Sequence, residues 1–383
     1  MRTVSSWVVG AVLGATALPA LPAQAPKRVP VIAGEAHVYV IVDVDGTVRS
    51  WGSPWDAEGP YLGDGSDAQA SRADPAPVPG MHDIASAAVG HQQVLLLSRD
   101  GKVFAWGRNN MCEVGTGDDK KRLTPVQLQG VRDAVDIAAG EALSAAVLAD
   151  GTVRIWGAGD GGLLANGKSG FRTDCAMSPV PVDGLTGVKR IAIDAEDVYV
   201  LKRDGTVWGW GRNSAGELCD GTTERRLHPV QMQGVANAVD IAVDGHAVIV
   251  LADGTVRACG GGADGMPKGA PKNAVYKVAG IAGAVAVQAA GGATMVRLAD
   301  GTLLGWGVGY QGRLGDGHGD RPESKPHPPV GLGPVLAHYF ASNSGFAIKA
   351  DGTVMAWGIW ANGKGPTEWV LKPIPLFKVV LDP

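Results

Sequence analysis

Short apolar runs recur along this chain, and the same pair of residues interrupts each of them. Val94-Leu95-Leu96-Leu97 leads to Asp100-Gly101, and the chain resumes as Lys102-Val103-Phe104-Ala105-Trp106. Asp-Gly favours the positive φ angles of a two-residue hairpin. The pattern therefore predicts two antiparallel strands joined at that pair. Asp-Gly stands at 45, 100, 150, 204, 253, 300 and 351, at intervals of 47–55 residues. Six positions after each Asp come Trp51, Trp106, Trp156, Trp210, Cys259, Trp306 and Trp357, each followed by Gly. Only the fifth copy departs from Trp.

The third position after Asp is also apolar every time: Val48, Val103, Val153, Val207, Val256, Leu303 and Val354. It lies an odd number of residues from the Trp, so the two side chains point to opposite faces of the strand. A strand apolar on both faces needs a neighbour on both sides, which a ring of blades supplies. Pro-Val stretches (125–126, 179–180, 229–230, 329–330) and small-residue strands such as Ile137-Ala138-Ala139-Gly140 complete each unit. The expected fold is all-β, a seven-bladed β-propeller of about four-stranded antiparallel blades. Val31-Ile32-Ala33-Gly34 reads as a small-residue strand and 372–377 as a Pro-Val strand. The two ends should thus meet and close the ring.

Asp-Gly-Thr-Val-x-x-Trp-Gly is one carrying motif. The loops Gln311-Gly312-Arg313-Leu314-Gly315-Asp316-Gly317 and Ala215-Gly216-Glu217-Leu218-Cys219-Asp220-Gly221 are another. On these the chain resembles the regulator of chromosome condensation repeat family over nearly all of 31–383. The resemblance implies a seven-bladed propeller that works by contacts between a propeller face and other proteins.

Residues 1–25 stand apart. Arg2 is their only charge, an apolar stretch runs from Trp7 to about Leu18, and Pro19, Pro22 and small alanines follow. This is the layout of a secretory signal peptide. It divides the chain into a leader, 1–25, and one propeller domain, 26–383. The expected location is secreted or periplasmic, as in a bacterial-type secreted member of the family, with no membrane attachment after cleavage. A chain that closes its own ring is expected to be a monomer. Hydrophobic residues at 45% and charged residues at 19% fit a globular chain. The net charge is −4, without a basic run, which leaves no electrostatic footprint for nucleic acid.

No hydrolase elbow, zinc-protease motif or phosphate loop occurs, and neither cofactor nor metal is expected. His37, His91 and His246 recur with the blades and read as structural hydrogen bonders. The acidic stretches 63–67 and 316–320 read as turns rather than calcium loops. Asp194, Glu196, Asp197 and Asp244 lie near inner strands and keep open an enzyme with its site at the propeller centre. Cys112 and Cys175 follow Trp-Gly on consecutive blades and are the first pair expected to form a disulfide. The four cysteines allow three pairings, and Cys259 reads equally as a small core residue.

Aromatics outside the signature are the remaining lead. Trp55, Tyr61, Tyr310, Trp360 and Trp369 all follow Trp-Gly, so they should collect on one face. Four of them belong to blades one and seven, neighbours in a closed ring. Such a group serves equally as a binding hot spot or as padding of the closure. The expected function is an exported, non-catalytic scaffold that recognises a protein partner through propeller-face loops. The alternative is a secreted carbohydrate-binding module or glycan-active enzyme.

Overall fold

A computed structural model describes residues 28–35, 38–52, 61–67, 72–170, 175–260, 272–341, 344–359 and 369–382. Among them are seven four-stranded antiparallel sheets, each built from four strands consecutive in sequence. The blades span 31–77, 84–127, 134–181, 188–231, 238–277, 284–327 and 337–378. In blade one the strands are Val31–Glu35, Val38–Val42, Val48–Gly52 and Arg72–Pro77. Among the described residues helix is limited to two three-residue 3₁₀ turns, Asp160–Gly162 and Tyr310–Gly312.

The Asp-Gly hairpins differ from a two-residue turn. Gly46 has φ 85°, whereas Asp45 stays out of the positive-φ region. The Gly46 N–H donates to Asp43 O, and the Asp43 N–H donates to Thr47 O. This is a longer hairpin loop in which only glycine needs the left-handed conformation. Aspartate has another task, because Asp45 Oδ1 accepts from both the backbone N–H and the hydroxyl of Thr47. The same two bonds recur at Asp150, Asp204 and Asp253.

The core lies between blades. One cluster joins Val38, Val40 and Val48 of blade one to Ile84, Leu96 and Trp106 of blade two. The signature tryptophans are its anchors. Trp106, Trp156, Trp210 and Trp357 are fully buried, and Trp51 and Trp306 nearly so. Each of the first four donates its indole N–H backwards, to a carbonyl in the loop that follows the third strand of the preceding blade. The acceptors are Tyr61 O (2.9 Å), Glu113 O (3.1 Å), Leu163 O (2.8 Å) and Arg313 O (2.7 Å). For Trp51 and Trp306 the preceding loop lies mostly outside the described residues. Two residues past the acceptor the loop needs a small residue at positive φ, because the indole ring lies against it. A Cβ on Gly115 would sit 2.5 Å from Trp156.

Blade five replaces this clasp with a covalent bond. Cys259 stands where the Trp would be, and Cys219 stands where the other loops carry Gly63, Gly115 or Gly315. The two form a disulfide, with Cα atoms 6.2 Å apart. Cys219 keeps the positive φ of that loop position, 43°. The carbonyl that would accept the indole, Glu217 O, accepts from the Tyr199 hydroxyl instead, at 2.9 Å. Cys259 is therefore half of a bridge rather than a small core residue. Cys112 and Cys175 form a second bridge, which ties the loop of blade two to the outer strand of blade three.

Both chain ends reach the seam between blades seven and one without sharing a sheet. The first strand stays in blade one and the last in blade seven. Closure is by side chains. Tyr39 packs edge-on to Phe346, Trp51 meets Phe377 edge-on at 5.9 Å, and the Tyr39 hydroxyl donates to Ser344 Oγ at 3.3 Å.

Removing one clasp tests its weight. Trp156→Phe leaves Glu113 O with one donor fewer and is expected to lower unfolding stability by about 1–3 kcal/mol, read by denaturant titration. Cys259→Trp alone breaks a disulfide and meets Cys219, so a loss of about 2–4 kcal/mol is expected. Adding Cys219→Gly opens the space for the ring and is expected to recover at least half of that loss. A double variant no better than the single one would contradict the equivalence of the two clasps.

Candidate functional site

In every blade the turn from first to second strand and the loop from third to fourth emerge on one face, because neighbouring strands are antiparallel. The short turns ring the axis. They line an opening of about 310 Å³ with Glu35, His91, Glu141, Asp194 and Asp244 on its wall. A groove of about 400 Å³ runs outward from it between blades three and four, past Glu196, Arg212 and Arg225.

Acids at this opening carry bonds between blades. Asp194 Oδ1 accepts the N–H groups of Glu196 (2.9 Å) and Asp197 (2.8 Å), and its Oδ2 accepts Gly245 N–H of blade five (2.9 Å). Asp244 repeats the device one blade on and accepts Gly292 N–H. Glu196 pairs with Arg212. His246 is buried, contacts Asp244 O at 2.7 Å and bridges to Thr294 of blade six at 3.0 Å. Burial lowers its pKa, so the ring is neutral at pH 7.

Asp197 differs from the rest. It is 2% exposed, and its Oδ1 has no hydrogen-bond partner. Burial, and then the charges of Asp194, Glu217 and Glu196, push its pKa up to about 9. Burial also raises Asp194, with Asp244 adding to the shift. Of the four acids singled out in the sequence, Asp194 and Asp244 face the opening, Glu196 lies in the groove and Asp197 sits beneath.

The acidic turns are occupied by their own residues. Asp64 accepts from Ser66 and pairs with Arg72, and Asp67 pairs with Lys121. Asp316 accepts His318 N–H and lies 3.5 Å from His327 Nε2. Among the described residues no group of three or more His, Cys, Asp or Glu is arranged to hold a metal ion.

The loop aromatics separate. Trp55 and Trp360 lie outside the described residues, as does His37. Tyr61 is 4% exposed and packs in the core between blades one and two, where its carbonyl takes the Trp106 indole. It offers no surface to a partner. Tyr310 (47% exposed) and Trp369 (51% exposed) are open to solvent. Both flank one loop, whose Gln311 N–H bonds Gly319 O while Gly319 lies against the Trp369 ring. This places Trp369 at the seam of blades six and seven, not seven and one. The cause is that the described loops lean onto the blade that follows them.

Residues 100–147 and 204–251 match the family model of the Regulator of chromosome condensation (RCC1) repeat. Two stretches of the chain, one reaching from blade two into blade three and one from blade four into blade five, are similar to that repeat. Human HERC2, an E3 ubiquitin-protein ligase, is 28% identical over 262 residues, which is 66% of this chain and 5% of HERC2. The ultraviolet-B receptor UVR8 of Arabidopsis thaliana is 30% identical over 187 residues, 47% of this chain and 41% of UVR8. The chain thus spans less than half the length of these relatives. Among solved structures, Prp20p of Saccharomyces cerevisiae, described with its binding to Gsp1p and histones, superposes with a TM-score of 0.73. It is 20% identical, over 88% of this chain and 87% of Prp20p. Human WBSCR16 gives 0.69 at 18% identity, over 87% and 94%. At these identities the likeness to both shows the propeller fold alone.

Asp197 gives the pH test. Between the ordinary carboxylate range and about 9, an unfolded chain has this group ionised while the folded chain keeps it protonated. The folded state then binds more protons, and stability falls as pH rises through that window. The hairpin carboxylates act oppositely. Bonds from threonine hold Asp45 and Asp150 below their usual range, so their contribution is lost as pH falls. Asp197→Asn should remove a negative slope of at most about 1.4 kcal/mol per pH unit. Its advantage over the parent chain should therefore grow from pH 5 to pH 8 in denaturant titrations. A constant difference would place Asp197 among ordinary ionised acids.

Proposed function

We propose that this chain is an exported, non-catalytic scaffold that holds a protein partner on its loop face. The observation that carries the reading is the pair Tyr310 and Trp369, two large aromatics exposed beside one loop of a rigid ring. Exposed Trp and Tyr on a pre-organised surface are what binding hot spots use. The axial acids support the absence of catalysis, because Asp194 and Asp244 are committed to backbone N–H groups of neighbouring blades. The described binding of Prp20p to Gsp1p and histones, on the same fold, supports a protein rather than a small molecule as partner. The ligase name of HERC2 does not extend to a chain that spans 5% of it.

Export rests on the leader pattern of residues 1–25, as for a bacterial-type secreted member. Two disulfides among four cysteines support it, since such bonds persist in oxidising compartments.

Chain beginning at Pro26, immobilised and exposed to envelope and secreted fractions of its own cell, should retain a specific protein. Tyr310→Ala with Trp369→Ala should lose about 2 kcal/mol or more of binding while unfolding at the same temperature. Full retention by that double variant would reject the assignment of face, and no specific protein retained from the envelope and secreted fractions would reject the assignment of compartment.

A further inference from the structure

Before glycine an aspartate side chain readily condenses with the next amide, because no side chain stands in the way. Asp-Gly occurs 14 times in this chain, and one pair, Asp264-Gly265, lies outside the described residues. Condensation requires the joining peptide to rotate until its nitrogen lies beside Cγ. A hydrogen bond to that peptide opposes the rotation. In all seven blade hairpins the glycine N–H donates to the carbonyl three residues before it, at 2.8–3.0 Å. Gly65, Gly245 and Gly317 donate to Leu123 O, Asp194 Oδ2 and Leu371 O. At two more pairs the aspartyl carbonyl is held, Asp160 O by Leu163 N–H and Asp220 O by Gln233 Nε2.

Asp183-Gly184 is the exception among the described pairs. Neither Asp183 O nor Gly184 N takes part in a hydrogen bond, the Asp183 carboxyl has no partner, and both residues are exposed. A Cβ on Gly184 would meet nothing within 4 Å. The feet of this turn are fixed, since Val182 and Leu185 are buried in the cluster that joins blades three and four. Its tip is unrestrained. The same turn follows the outer strand in blades one, two, four and five, again with glycine at positive φ, but behind Pro79, Gln129, Gln233 and Ala279. The turn itself therefore does not require aspartate.

We propose that Asp183-Gly184 is a modification site, the described Asp-Gly pair at which this fold permits spontaneous isomerisation to isoaspartate. Gly184 N bonds to Asp183 Cγ, and the carboxyl hydroxyl leaves with the amide proton as water, which closes a succinimide. Water then adds at one of the two ring carbonyls. Opening at the former side-chain carbonyl restores aspartate. Opening at the former main-chain carbonyl breaks its bond to Gly184 N and leaves isoaspartate, with the chain routed through Cβ. No oxidant or further reactant is consumed. The product places one extra main-chain carbon between Val182 and Leu185, at the link from blade three to blade four.

The test is to age the whole chain at physiological temperature and mildly acidic pH, once folded and once unfolded in urea. Peptide mapping with electron-transfer fragmentation then locates isoaspartate. In the folded chain Asp183 should isomerise at least ~10-fold faster than the other described pairs, because a bonded peptide reacts only from its locally opened fraction. In urea that lead should vanish. Gln129→Asp, which copies the pair into the equivalent turn of blade two, should create a second site of similar rate. Three results overturn the proposal: another described pair that keeps pace with Asp183 in the folded chain, a lead that persists in urea, or a folded Gln129→Asp variant left unmodified at residue 129.

Discussion

Four strands cannot cover both faces of a sheet that is apolar on both sides, and every blade here is such a sheet. The ring answers that constraint, and the indole clasp fixes how each blade meets the next. A buried tryptophan fills the gap between two blades and donates its N–H to the loop carbonyl of the blade before it. One side chain thereby supplies apolar area, fixes the angle between blades and satisfies a buried carbonyl. Loops that would otherwise hang free are pinned to their neighbours. A pinned loop face is what allows Tyr310 and Trp369 to be exposed without being loose.

Blade five shows that the constraint is on the junction rather than on the residue. Where the indole is missing, a disulfide spans the same gap and a tyrosine hydroxyl takes the vacant carbonyl. Closer to the axis polar groups do the joining. Asp136 accepts Ile191 N–H, Asp194 accepts Gly245 N–H and Asp240 accepts Val287 N–H, each across a blade boundary. Burial first, and then the neighbouring charges of Asp194, Glu217 and Glu196, raise the pKa of Asp197. The acidity of the opening is in this sense a consequence of how the blades are tied.

Much of this was legible in the residues. Asp-Gly and Trp-Gly repeats in register give the blade count, and apolar positions at odd spacing give two buried faces. Cys112 and Cys175 stand on consecutive units, and the structure bridges them. The bridge from Cys219 to Cys259 was missed, although Cys219 occupies the glycine position of a loop that recurs in other blades. Reading it required knowing that this glycine lies beneath the next blade's indole, a contact no single repeat contains. The same missing knowledge misplaced two aromatics. The repeat does not state which way a loop leans, so Tyr61 read as a surface residue and Trp369 as part of the closing seam. The acids near the inner strands were found, but their commitment to backbone amides depends on the neighbouring blade.

Hydrogen exchange at assigned indole N–H groups in the native chain tests the clasp most directly. The account predicts that Trp106, Trp156, Trp210 and Trp357 exchange only through global unfolding, with protection equal to that of the central strand amides, while exposed Trp369 exchanges rapidly. Rapid exchange at those four indoles, in a chain whose strand amides stay protected, would contradict it.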